Sequence, residues 1–133
     1  MTVVDASAVV AALVDRGREG QWARTILAGP SVVAPHLLPV EVTQVMRRLV
    51  GARVLSGDIA TLALADLADL AIPLFDFAPY ADRIWELRAT VTAYDAWYVA
   101  LAESFDEPLA TLDRRLRRAR GLRCRFAAPE GAS

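Results

Sequence analysis

The sequence contains no lysine; all fifteen of its basic residues are arginine. That excludes a phosphate-binding loop of the Gly-Lys-Ser/Thr type, and a phospho-acceptor receiver domain, which keeps a lysine beside its acids. A single cysteine, Cys124, rules out an internal disulfide, and with His36 as the only histidine a zinc site of Cys and His is excluded too. No stretch approaches the roughly 18 uncharged apolar residues needed to cross a bilayer. The opening MTVVDASAVVAALVD carries Asp5 and no basic segment, so it reads as a strand and a helix rather than a signal peptide. A soluble, cytoplasmic protein with no membrane association is the expectation.

What is present is apolar: 55% of 133 residues are hydrophobic, enough for one domain over 1–133 with a core that needs no staples. The net charge of −1 argues for no polyanion partner by itself, but its distribution is uneven. Arg114, Arg115, Arg117, Arg118, Arg120, Arg123 and Arg125 fall in one stretch with no acid inside it. Such a run is either a solvated helix face or a patch that tracks phosphates.

Strands and helices alternate along the chain. Val3 and Val4 form a short buried strand ending in Asp5, and Ser7 is expected to cap a helix running to about Asp15. A helix over Gln21–Leu27, a strand over Ser31–Ala34 and a helix entered between Pro35 and Pro39 follow, the last carrying Glu41 and ending near Gly51. Ser56 opens a long Ala/Leu helix to about Leu70. Its apolar positions, from Ile59 through Leu67 to Leu64, span more than the ~100° stripe one packing partner needs, which points to a second partner such as another copy of the chain. Ile72–Phe77 is a strand broken by Pro73, and Pro79 starts a helix to Arg88. An apolar helix over Thr92–Glu103 precedes a strand at Leu109–Leu112, an Arg-rich helix and an edge strand at Arg123–Phe126. The tail over 127–133 is expected to fray. About five strands alternating with helices predict an α/β fold, a mostly parallel sheet covered on both faces.

Four acids stand out. Asp5 and Asp113 close strands, and ligands of open α/β sheets bind beyond the carboxyl ends of strands where strand order reverses. Asp95 lies at the lip of the most apolar helix, and Glu41 interrupts the stripe of Leu37, Leu38 and Val45. Each has an ordinary explanation: turn residues at Asp5 and Asp113, a capping box with Thr92 at Asp95, an ion pair with Arg48 two turns on from Glu41. One shared purpose is more economical than four separate ones. Converging carboxylates raise each other's pKa unless a cation neutralises them. An all-oxygen set suits Mg²⁺ or Mn²⁺, which clamps a phosphodiester and lowers the pKa of bound water, in a one- or two-metal arrangement. Ser7 and Thr111, each two residues from a strand-end acid, are placed to orient ligands.

The segments VVDASAVVAAL, APHLLPVEV, TAYDAWYVALAE and ATLDRRL, in this order and spacing, resemble the four acidic motifs of PIN domains. The Asp-Ala-Ser start, the Tyr-Asp-Ala-Trp-Tyr helix and the Thr-Leu-Asp turn are most similar to the VapC-type toxins of bacterial toxin–antitoxin pairs. The resemblance covers nearly the whole chain. It implies a Rossmann-like sheet and a metal-dependent endoribonuclease, with Asp5, Glu41, Asp95 and Asp113 as catalytic, metal-binding acids and Ser7 and Thr111 supporting them. It also implies a homodimer held inactive by a VapB-type antitoxin.

A pocket of acids repels RNA, so phosphate attraction has to come from its rim, where Arg88, Arg114 and Arg115 fall. Tyr94, Trp97 and Tyr98 could stack on bases, but as neighbours in an apolar helix they are expected to be core. Two other functions remain open at this level. A catalytically silent interaction module would bind metal or a partner without turnover. A phosphatase with an aspartyl nucleophile would want an Asp where Ser7 stands.

Overall fold

A computed structural model describes residues 1–131. Five short strands form one fully parallel sheet in the order β3-β2-β1-β4-β5. They are β1 (Thr2–Val4), β2 (Val32–Pro35), β3 (Leu74–Phe75), β4 (Leu109–Ala110) and β5 (Phe126–Ala127). β1 sits at the centre, with Val3 opposite Val33 on one side and Leu109 on the other. Its run of apolar residues fits that place: Val3 and Val4 are wholly buried, as a strand covered on both faces must be.

Seven α-helices cover the sheet: α1 (Ala6–Val14), α2 (Arg18–Leu27), α3 (Leu38–Gly51), α4 (Gly57–Asp69), α5 (Ala81–Glu86), α6 (Ala93–Phe105) and α7 (Arg114–Arg117), with a 3-10 turn at Ala78–Tyr80. α1 to α4 pack among themselves, while α6 lies on β1, β2 and β4 with α5 beside it. Six residues of α6 from Ala96 to Ala102 are buried, which explains why that stretch carries no charge. Among the described residues no helix is long and apolar enough to cross a membrane.

Several boundaries differ from the sequence reading for identifiable reasons. Asp5, not Ser7, caps α1: its carboxylate accepts from the Ala8 N–H at 3.1 Å, and Ser7 sits inside the first turn. α2 begins at Arg18 rather than Gln21, because Gly20 lies inside it, where a Cβ would stand 1.9 Å from the Asp15 carbonyl oxygen. Here the missing side chain serves close approach of α2 to the end of α1. The Arg-rich helix shrinks to the single turn Arg114–Arg117, consistent with repulsion between like charges at helical spacing. The last edge strand is Phe126–Ala127 rather than Arg123–Phe126, since Arg123 donates its N–H to Glu103 of α6 at 2.7 Å instead of joining the sheet. Of the tail expected to fray, Ala127 is in β5, Pro129 and Glu130 line a hollow together with Arg18 and Trp22 of α2, and Ala132 and Ser133 fall outside the described residues. The aromatic trio of α6 divides: Tyr98 is 1% exposed, Trp97 is half-buried edge-on to Phe77 at 5.4 Å, and Tyr94 is 61% exposed rather than core.

The Gly20 contact has a direct consequence. Gly20→Ala is expected to destabilise the protein by about 1–3 kcal/mol through overpacking against backbone that has nowhere to move. An unchanged midpoint of urea denaturation would show that α1 and α2 are not held at this separation.

Candidate active site

Strand order reverses between β1 and β4, and the chain delivers an acid beyond the carboxyl end of each: Asp5 directly after β1 and Asp113 three residues after β4. Two hydroxyls lock the first of these in place. Ser7 Oγ donates to Asp5 Oδ1 at 2.6 Å, and Thr111 Oγ1 donates to Asp5 Oδ2. The hydroxyl oxygens accept in turn from the β4–α7 turn, Ser7 from Leu112 N–H at 2.9 Å and Thr111 from Asp113 N–H at 3.0 Å. Asp5 is therefore fixed both from α1 and from the chain that leaves β4, with its carboxylate aligned through hydroxyls that are themselves aligned by backbone.

Asp95 is the point through which the acids communicate. It sits in the first turn of α6, whose N-cap is Thr92: the Thr92 hydroxyl accepts from Asp95 N–H at 3.2 Å. Its negative charge acts on Asp5 and on Glu41, and Asp113 acts on it in return. Burial is the largest cause of a raised pKa at all three of Asp5, Glu41 and Asp95, with the neighbouring carboxylate adding to it. For Asp5 the rise is from the ordinary 3.8 to about 6, despite hydrogen bonds from Ser7, Thr111 and Ala8 that favour the anion. None of the four acids is in an ion pair among the described residues, so the Glu41–Arg48 pairing considered for the sequence is not formed.

A cleft of about 340 Å³ opens beside this cluster, lined by Asp95, Asp113 and Arg115 together with Thr90, Val91, Thr92, Leu116 and Ala119. Asp5 and Glu41 stand outside its lining, and the charge of Asp95, which is in the lining, acts on both. Asp113 also caps α7, its Oδ1 accepting from Arg115 and Leu116 N–H at 2.9 and 3.1 Å. Asp113 thus caps α7 and lines the cleft at the same time. Among the described residues no three acids or His and Cys side chains are close enough to form a ready-made metal site. The donor chemistry nevertheless suits a hard divalent cation: carboxylates and hydroxyls, no sulfur or imidazole, and pKa values of Asp5, Glu41 and Asp95 raised by burial and by a neighbouring carboxylate, which a dication would relieve.

The arginines are sorted by the fold. Arg115 lines the cleft, and Arg114 is exposed beside it on α7. Arg88 stacks 4.6 Å over the exposed Trp85 ring and donates to the Trp85 carbonyl, before the turn that leads into α6. Arg123 and Arg125 go elsewhere, to a hollow with Glu103, Asp106 and Glu107 at the far end of α6. The sequence reading passed over the Tyr98 hydroxyl, which is buried close enough to Glu41, Asp5 and Asp95 to feel all three. Its position three residues after Asp95, on the same face of a helix, was the available signal. A larger groove of about 390 Å³, between α3 and α4, is lined by Leu38, Leu64, Leu67, Ile72 and Leu74 and holds no carboxylate.

Comparison with known proteins gives this arrangement its class. The PIN domain profile matches residues 2–122. Ribonuclease VapC1 of Mycobacterium tuberculosis is 43% identical over 123 residues, covering 92% of each chain. Ribonuclease VapC9 of the same organism is 40% identical over 116 residues, 87% of this chain and 88% of that one. Two solved structures share the fold. VapC20 of M. tuberculosis, described as a sarcin–ricin-loop-cleaving toxin, superposes with a TM-score of 0.68 at 17% identity over 92% of this chain and 97% of that one. VapBC2 from Rickettsia felis, bound to a DNA fragment from its promoter, gives 0.67 at 11% identity over 97% and 98%. The chain belongs to the PIN-domain family and, within it, to the VapC ribonucleases.

The burial of Asp5 makes stability depend on pH. An unfolded Asp5 ionises near 3.8 and the folded one near 6, so between those values the native state holds the proton more tightly. Stability from this group is full below about pH 4 and falls as pH rises to 6, by about 3 kcal/mol at about 1.4 kcal/mol per pH unit. Asp5→Asn, measured by urea denaturation in chelator across pH 4–7, is expected to flatten that fall. Parallel profiles for the two proteins would show that Asp5 carries no such cost.

Proposed function

We propose that this protein is a Mg²⁺- or Mn²⁺-dependent endoribonuclease, the toxin of a VapBC-type pair, acting in the cytoplasm. The observation that carries the reading is the electrostatic coupling of Asp5, Glu41 and Asp113 through Asp95 at the β1/β4 reversal, in a chain 43% identical to a VapC ribonuclease. Asp5, Glu41, Asp95 and Asp113 are the residues that would hold the ion. When bound there, a hard dication supplies positive charge to a phosphodiester and lowers the pKa of water.

The protein's own groups do the rest. Ser7 and Thr111 keep Asp5 ionisable and held in place beside the cleft. Asp95, half-buried, is turned toward the cleft, while Asp113 and Arg115 stand on its wall with opposite charges. Arg115, with Arg114 and Arg88 nearby, offsets the repulsion that a row of carboxylates presents to RNA, so RNA binding weakens as salt rises. The proposed inhibitor is a VapB-type antitoxin, as the name of the Rickettsia VapBC2 complex suggests by analogy. Association with a protein partner, including a second copy in a homodimer, is supported by apolar side chains left exposed on α3, α4 and the turn between them: Val40, Val54, Ile59 and Leu62 are 46–70% exposed.

RNA cleavage by the purified protein is expected to stop in chelator and return with Mn²⁺, and Asp95→Asn is expected to lower the rate at least about a hundredfold without loss of fold. Wild-type cleavage by Asp95→Asn would remove this residue from the chemistry. Absence of turnover with any divalent ion would leave the catalytically silent interaction module in its place.

A further inference from the structure

Tyr98 is almost wholly enclosed, and its hydroxyl lies within hydrogen-bonding reach of the Glu41 carboxylate, although no hydrogen bond of good geometry is made to it among the described residues. Packing alone would be served by phenylalanine, and a buried hydroxyl without a partner is a cost that native proteins seldom carry without a use. Of the four acids, Glu41 is the one whose side chain meets this hydroxyl, with the charges of Asp5 and Asp95 acting on it more weakly. Glu41 comes from α3, across from α6, half-buried and with no basic partner among the described residues. A glutamate has one more rotatable bond than an aspartate, so it is the member of the quartet that most needs to be held.

We propose that Tyr98 is a positioning residue for Glu41, its hydroxyl donating to that carboxylate as Glu41 turns toward a divalent cation. The proposal rests on the metal-dependent ribonuclease reading above. A phenol suits this task better than lysine or arginine would. It fixes one carboxylate oxygen with a neutral donor, leaving the acid's full negative charge for the cation. The rigid, enclosed ring also costs little side-chain entropy when the hydrogen bond forms.

The test is calorimetric titration of the RNA-free protein with Mn²⁺, comparing wild type, Tyr98→Phe, Glu41→Gln and the double variant, with thermal melts in chelator. Tyr98→Phe is expected to weaken Mn²⁺ binding about tenfold or more, while its metal-free melting temperature changes little, because the contact with Glu41 has poor hydrogen-bond geometry in the metal-free protein. In the Glu41→Gln background the same change is expected to add no further loss. Wild-type affinity in Tyr98→Phe overturns the proposal, as does a full further loss in the double variant, which would mean that Tyr98 acts on something other than Glu41. Asp5→Asn, titrated alongside, separates the two levels. If it too binds Mn²⁺ like wild type, or if wild type binds none, the metal reading falls and Tyr98's role falls with it. If only Tyr98→Phe is silent, the metal reading stands and this inference alone is lost.

Discussion

A carboxylate buried at the end of the central strand is the constraint that the rest of this structure answers to. Asp5 is 7% exposed and held by Ser7, Thr111 and the Ala8 N–H, yet its pKa still sits at about 6. The hydrogen bonds favour the anion, and burial outweighs them. Spending three donors on one acid and still leaving it costly to ionise makes little sense as architecture. It makes sense if the fold holds an anion ready for a positive charge from outside.

The same constraint explains how distant parts of the chain meet. β4 must pair with β1 for Thr111 to reach Asp5, and the β4–α7 turn must close so that its backbone can orient the two hydroxyls. α6 then has to lie across β1 with its N-terminus at the reversal, because Asp95 can influence the other acids only from there. Burial of that helix along most of its length is thus the means of aiming a single acid.

Much of this was legible beforehand. Strand–helix alternation and the apolar runs at Val3–Val4 and Leu109–Ala110 determined the sheet, because strands covered on both faces leave that mark. Motif spacing singled out the acids, although it could not say that Asp5 would cap α1 or that Asp113 would cap α7. Those roles depend on where a turn closes by one residue, which periodicity does not resolve. The arginine run misled for a different reason. Seven like charges look like one surface in the sequence, but the chain turns at Gly121, with φ at 81°, and returns to the opposite end of the sheet. Tyr98 was hidden by its neighbours, since a tyrosine inside Trp-Tyr-Val-Ala reads as packing until its hydroxyl is placed.

Far from the chemistry, Arg83 grips Glu103 with two nitrogens, at 2.7 and 3.1 Å, and also donates to the Gly121 carbonyl at 2.8 Å. This clasp ties α5, α6 and the returning chain together at the pole away from the acids. It divides labour among residues of one kind: Arg83 is committed to architecture, whereas among the described residues Arg114 and Arg115 form no ion pair. Exchange of the guanidinium groups around the cleft would therefore leave that fastening intact.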